Sequence, residues 1–291
     1  MRKTALLVGG FAVTLTLGAC GTSAAPGPAA PDAGQQKAFA DAKSLGEASS
    51  AAVAKGQSVK FAFEVTGDAE NAGKGHGESR TAGTGPATSV VMEGAEGAAE
   101  FRLVDQAIYM KVQEKDRTPE MNKPWVKFAL NDASNPLAAL FAPVFKQLAD
   151  SSDPVKIIER LRDAGTVTSS EQAQLDGAAT THYKLDLDGA KVIDKQVASM
   201  PEQLRAAYTD EAKKRIQALN LKLPMELWVD GEQRPVKLFM DTGDALKKAA
   251  TQNNAPADGP KNVITVRYTD WGAPVDITAP AAVDVAELPK I

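Results

Sequence analysis

Two hydrophobic periods, kept in separate blocks, set the limits on what this chain can fold into. In 59–66 the residues Val59, Phe61, Phe63 and Val65 alternate with Lys60, Ala62, Glu64 and Thr66, the period of a strand with one dry face and one wet face. Further short strands are expected at 88–93, 98–104 and 107–112, the last two joined by a tight Asp105-Gln106 turn, and at 125–130 after Asn122-Lys123-Pro124. The partner of the first strand is expected beyond a glycine-rich turn around Gly73, Gly75 and Gly77. The middle of the chain then changes period: Leu137, Leu140, Phe141, Val144, Phe145 and Leu148 fall at i, i+3, i+4, i+7, i+8 and i+11, the mark of an amphipathic helix.

Helix signals cluster around that block. Asn135 and Pro136 open the amphipathic helix, and Asp153-Pro154 opens a second one carrying Val155, Ile158 and Leu161. A small-residue helix over 37–54, stopped at Gly56, precedes the first strand, and a third helical stretch is expected over 203–219, with Leu204, Tyr208, Ile216 and Leu219 on one side. Strands return at 180–187, 224–230, 234–241 and 262–271, with Asp230-Gly231-Glu232-Gln233 as a hairpin turn and 242–260 as a surface loop. No βαβ alternation appears. The order predicts an α+β fold: a strongly curved antiparallel sheet, a half-barrel, with helices packed on its concave face.

The first residues follow a different logic. Arg2 and Lys3 precede an apolar run from Ala5 to Leu17 that closes on Leu17-Gly18-Ala19-Cys20. That run is shorter than the roughly 20 residues a permanent transmembrane helix needs, so it reads as an export signal over 1–19. An aliphatic residue, two small residues and a cysteine resemble the bacterial lipobox, which implies lipidation of Cys20 and a domain held on the extracytoplasmic face of a cell membrane. Residues 20–36 are almost entirely Gly, Ala, Pro and Ser with one charge, Asp32, and form a flexible tether. A single domain is expected over 37–291.

Composition excludes several functions. Cys20 is the only cysteine, so no intrachain disulfide stabilises an exported domain, and two histidines far apart, His76 and His182, do not suggest a zinc site or any other cofactor. Formal charge is −4, or −6 without Arg2 and Lys3, with both signs interspersed; nucleic-acid binding needs a concentrated basic footprint. A serine hydrolase would need a histidine base. His182 alternates with Lys184 and Asp186 on the expected wet side of its strand, opposite Tyr183, Leu185 and Leu187, and His76 falls in the expected glycine-rich turn. There is no Gly-x-Ser-x-Gly elbow, and the pair Asp186 and Asp188 reads as solvated. The chain is therefore expected to be no enzyme.

Four stretches carry a family resemblance: Ile108-Tyr109-Met110-Lys111, Lys123-Pro124-Trp125-Val126, the run from Leu223 to Asp230, and Pro235-Val236-Lys237. With the closing Tyr268-Thr269-Asp270-Trp271-Gly272-Ala273-Pro274-Val275-Asp276-Ile277-Thr278-Ala279-Pro280, they resemble the LppX/LprG lipoproteins, a family similar in architecture to LolA and LolB. The resemblance implies a half-barrel closed by helices over an apolar cavity, and a lipid-binding or lipid-shuttling role with a lipid or acylated glycolipid as ligand. On that implication Phe61, Phe63, Ile108, Met110, Leu227 and Leu238 line the concave face, and Leu140, Phe141, Val144 and Phe145 cover it. Either these side chains pack together as an ordinary core or they leave room for acyl chains; Met110, Met225 and Met240 suit a site that takes variable chains, and equally suit core filling. The Gly- and Ala-rich segment 71–99 departs from the family and alters the size or entrance of any cavity. Two other readings stay open: a non-catalytic envelope sensor or adaptor, docking a protein partner through the 242–260 loop with its Lys247-Lys248, and a purely structural surface lipoprotein with neither ligand nor partner.

Overall fold

The structure is a computed structural model, and it describes residues 38–67, 72–81, 85–94, 97–118, 122–130, 153–200, 202–206, 208–252 and 262–287. The export signal, the tether with Cys20, the amphipathic helix over 135–148 with Leu140, Phe141, Val144 and Phe145, and the 253–260 part of the expected loop lie outside the described residues.

Twelve strands form one open, curved sheet: β1 Ser58–Thr66, β2 Gly73–Arg80, β3 Ala87–Gly94, β4 Gly97–Val104, β5 Ala107–Lys111, β6 Trp125–Ala129, β7 Gly165–Leu175, β8 Ala178–Asp188, β9 Lys222–Val229, β10 Pro235–Asp241, β11 Val263–Thr269 and β12 Val285–Glu287. Their spatial order is β12-β6-β5-β4-β3-β2-β1-β11-β10-β9-β8-β7, and every pair is antiparallel except β12 with β6. Two meanders, β1–β6 and β7–β11, therefore join along a single seam where β1 pairs with β11, Phe61 opposite Tyr268 and Phe63 opposite Val266. The expected α+β half-barrel is what forms.

Turn chemistry explains the tight connections. Asp105 and Gln106 both sit at positive φ, 51° and 58°, the conformation that a two-residue turn between right-twisting strands demands. Asp176 and Gly177 do the same between β7 and β8. At 230–233 the Asp230 side chain accepts from the amides of Glu232 and Arg234, both at 2.9 Å, and its other oxygen takes the Arg234 guanidinium at 2.8 Å.

Helices α1 Ala42–Gly56 and α2 Pro154–Ala164 lie on the concave face. Asp41 caps α1 through the Ser44 amide at 2.8 Å, and Asp153 caps α2 through the Val155 amide at 2.8 Å. The first helix thus starts later than the sequence suggested and runs through Gly56, with Gln57 taking the left-handed position after it at φ 58°. Leu45, Ile157 and Leu161 enter a core with Val59, Phe61, Phe63, Tyr183, Leu185, Leu227, Leu238 and Val266. Gly46 meets the Arg162 side chain at the crossing, where a Cβ would lie 2.8 Å from the Arg162 Cβ. On the convex face Val275, Ile277 and Val285 of the C-terminal segment cover Tyr109 and Trp125.

Several expectations are corrected. The glycines at 73, 75 and 77 are in strand β2 rather than in a turn, because the Phe63 and Phe61 rings lie across them and take the place of inward side chains: a Cβ at Gly75 would come 2.6 Å from Phe63 Cζ, and one at Gly77 2.6 Å from Phe61 Cζ. His76 accordingly projects, exposed, from a strand. The 203–219 stretch breaks into two helices, α4 Glu202–Arg205 and α5 Asp210–Ala218, where Thr209 recaps the chain by accepting from the Ala212 amide. They follow α3, Gly189–Ala198. The expected 242–260 loop contains helix α6, Gly243–Gln252, whose first amide is taken by Asp241 at 2.8 Å.

Candidate functional site

The concave face is the site the fold builds, and the strand register shows who shares it. One row across the sheet runs Tyr183, Leu227, Leu238, Val266, Phe63, Gly75 and Met92. The next runs Tyr268, Phe61, Gly77, Val90, Phe101, Met110 and Val126, and a third Val59, Ser79, Thr88, Leu103, Ile108 and Phe128. Directly paired residues point the same way, so Phe61, Phe63, Ile108, Met110, Leu227 and Leu238 all face inward.

They do not all meet. Phe61, Phe63, Leu227 and Leu238 belong to the cluster sealed by α1 and α2, whereas Ile108 and Met110 belong to a separate one with Leu103, Val126 and Phe128. Met225 is 2% exposed and fills core, while Met110 and Met240 are half-buried. Half-buried Val65, Met92, Phe101 and Ile264 join them. From β10 to β5 these make an apolar strip interrupted at β2: Met240 pairs with Ile264 and Ile264 with Val65 on one side, and Phe101 pairs with Met110 on the other. Within it β2 contributes only glycine, and nothing lies within 4 Å of the position a Cβ on Gly73 would take. Val65, Met92, Phe101 and Ile264 were missed as site residues although the alternation that places Phe63 inward also places Val65; the others needed the register.

Tyr268 lies in the middle row. Burial raises its hydroxyl pKa far above the ordinary 10.0, and the Asp153 carboxylate pushes the same way. Tyr183, pushed up by burial as well, accepts the Phe39 amide at 3.1 Å and so ties the chain ahead of α1 to the sheet.

His182 is on the convex face, opposite Tyr183 as its alternation predicts, but it is not solvated: it is 7% exposed. The Trp228 ring stacks on it at 4.1 Å with an interplanar angle of 5°, and the Lys237 ammonium lies 4.4 Å from the centre of that same indole. Its ring nitrogens face Glu171 at 3.0 Å and Glu226 at 2.7 Å. The histidine bolts β7, β8 and β9 together. Asp188 is not simply solvated either, since it caps α3 by accepting from Ala190 and Lys191. Among the described residues no set of His, Cys, Asp and Glu is arranged to hold a metal. A trough of about 300 Å³ on the convex side is lined by Ala62, Glu64, Lys74, His76, Glu93 and Arg267 among others.

Fold and face together define an open antiparallel half-barrel backed by helices. No family model matches the chain. A Streptomyces griseus protein, described as an uncharacterized 31.2 kDa protein in the rplA-rplJ intergenic region, is 23% identical over 198 residues, 68% of this chain and 59% of that protein. The chain thus spans less than two thirds of that relative's length. Similar solved structures include the lipoprotein LppX of Mycobacterium tuberculosis, 15% identical with a TM-score of 0.45, covering 81% of this chain and 98% of that one. LprF of Mycobacterium bovis is 15% identical with a TM-score of 0.45, over 83% and 97% of the two chains. A LolA superfamily protein from Nitrosomonas europaea is 14% identical with a TM-score of 0.30, over 80% and 93%. At these scores the fold stands on its own strand order and register.

Proposed function

We propose that this chain is a lipoprotein anchored through Cys20 on the extracytoplasmic face of the cell membrane, whose domain over 37–291 binds, and shuttles, a lipid or other acylated amphiphile on its concave face. The observation that carries the reading is a half-buried apolar set on the inward face: Met240, Ile264 and Val65 in one row ending on Gly73, Met92 beside Gly75, and Phe101 paired with Met110. A folded chain gains by burying such side chains, and an acyl chain laid along them would gain about 0.8 kcal/mol for each CH₂ removed from water. Methionines and an empty place at Gly73 suit chains of varied shape. Leu140, Phe141, Val144 and Phe145, which fall on one amphipathic face by sequence period alone, are proposed as the cover. The domain acts by binding alone, without a catalytic step.

The test is native mass spectrometry of the chain from Gly21 onward, made in a related bacterial host, followed by extraction of co-purifying lipid. A stoichiometric acylated species is expected, reduced by Gly73→Trp, which fills the strip, and by Phe141→Asp or Val144→Asp. A ligand-free protein that also refuses added lipids overturns the reading and favours an adaptor that works through a protein partner.

A further inference from the structure

Strands β8 and β9 are directly paired up to Asp188 and Lys222, and the Gly189 amide donates to the Leu221 carbonyl at 2.9 Å. A two-residue turn would join strands so placed. Instead residues 189–221 leave the sheet as α3, α4 and α5 and return to the same spot. This excursion adds little to the core: Gly189 and Leu221 are buried at its two ends, and between them every described side chain is half-buried or exposed. Its helices are nevertheless amphipathic. Val192, Ile193, Val197, Met200, Ile216 and Leu219 are all half-buried, apolar surface left part wet.

Charge separates the excursion from the rest of the molecule. Residues 189–221 hold six Lys or Arg against four Asp or Glu, a balance of +2 in a chain of −4. One of those acidic groups, Asp194, is half-buried among the helices, while Glu202, Asp210 and Glu211 are exposed. Asp194 takes Lys213 at 3.3 Å and the Tyr208 hydroxyl at 3.0 Å, and across the gap to α2 Asp163 takes Lys195. Lys191 and Lys214 are exposed and make no ion pair with an acidic group among the described residues. Short amphipathic helices with cations beside part-wet aliphatic side chains are the form that lies in a bilayer interface.

We infer that residues 189–221 are a docking element for an anionic lipid surface, seating the domain on the membrane that supplies or receives its ligand. This rests on the lipid-binding reading for its purpose but not for its test. The chain from Gly21 onward, which carries neither the apolar 1–19 segment nor Cys20, is floated with phosphatidylcholine vesicles with and without phosphatidylglycerol, at low and high salt. Binding is expected only with phosphatidylglycerol, weakened by salt and weakened about tenfold or more by Lys191→Glu with Lys214→Glu. A second variant replaces 190–220 with Asn-Gly and is expected to keep the sheet, by circular dichroism, while losing vesicle binding. A wild-type chain that ignores the anionic vesicles, or a double lysine variant that binds them as well as wild type, overturns the inference. Cargo is followed separately by mass spectrometry: a lysine variant that keeps its lipid but leaves the vesicles supports docking, and a cargo-loaded wild type that stays off them removes docking while leaving the carrier reading intact.

Discussion

Replacing a strand glycine by alanine normally stabilises, by about 0.4–1 kcal/mol, because the unfolded chain loses freedom. In β2 the sign should differ along a single strand. At Gly75 the new methyl would meet the Val91 carbonyl oxygen and come 2.6 Å from Phe63 Cζ, so the ring would have to retreat to the 3.4 Å where ordinary contact begins. Phe63 is 8% exposed and lies in the main core, so it has little room to retreat, and the carbonyl belongs to the β2–β3 ladder and cannot move without breaking it. Gly77 repeats the situation with the Ser89 carbonyl and Phe61, 3% exposed. Overpacking of this kind costs about 1–3 kcal/mol. Gly73, with nothing within 4 Å, is the internal control. Urea unfolding followed by tryptophan fluorescence should show lower midpoints at unchanged slope for Gly75→Ala and Gly77→Ala, and an equal or higher midpoint for Gly73→Ala. In a chain this size each kcal/mol should move Tm by about 2–4 °C. In Phe61→Leu the penalty of Gly77→Ala should shrink by about 1 kcal/mol, the coupling expected of touching groups. Equal effects at 73, 75 and 77, or a stabilising alanine at 75, would refute the argument that the aromatic rings replace side chains on this strand.

Two further outcomes follow from single sites. Gln106 stands at φ 58° where glycine has no steric cost, so Gln106→Gly should stabilise the β4–β5 hairpin by up to about 1 kcal/mol, read as a higher urea midpoint. Tyr268 keeps its proton in the folded chain to a pH well above 10.0, while the unfolded chain releases it near that value. The native state therefore holds more protons in this window, and stability is full below pH 10 and falls as pH rises above it; Tyr268→Phe should flatten that fall in urea midpoints measured across it.

Much of the sheet was legible because its strands obey one period. β1, β3, β4, β5 and β6 each alternate or are bounded by a readable turn, and Asp105-Gln106, Asp153-Pro154 and 230–233 all do what their chemistry suggests. The failures share a cause: a local rule was satisfied by a distant partner. β2 reads as a turn because the side chains that cover its glycines belong to β1. β7 was missed because most of Gly165–Leu175 is exposed and shows no dry side. His182 has the parity of a wet residue, and only the pairing of Trp228 beside it makes it buried. Of the six proposed concave residues on strands, alternation was read for Phe61 and Phe63 and the others followed from the half-barrel resemblance; which of them share a cluster depends on where α1 and α2 settle, a tertiary matter no period encodes.

The β1–β11 seam sets the order in which this molecule can be completed. The first meander can be paired as far as β6, and the second from β7 to β10, without the residues that join them. The strand that fuses the two halves, Val263–Thr269, lies near the end of the chain, roughly two hundred residues after its partner Ser58–Thr66. Until it arrives each half-sheet presents a bare edge, and β1 is the longer-lived of the two. A chain cut before 263 should therefore behave as two sticky half-sheets rather than as a smaller version of the same protein, and the slow event in its folding should be the closing of one long loop.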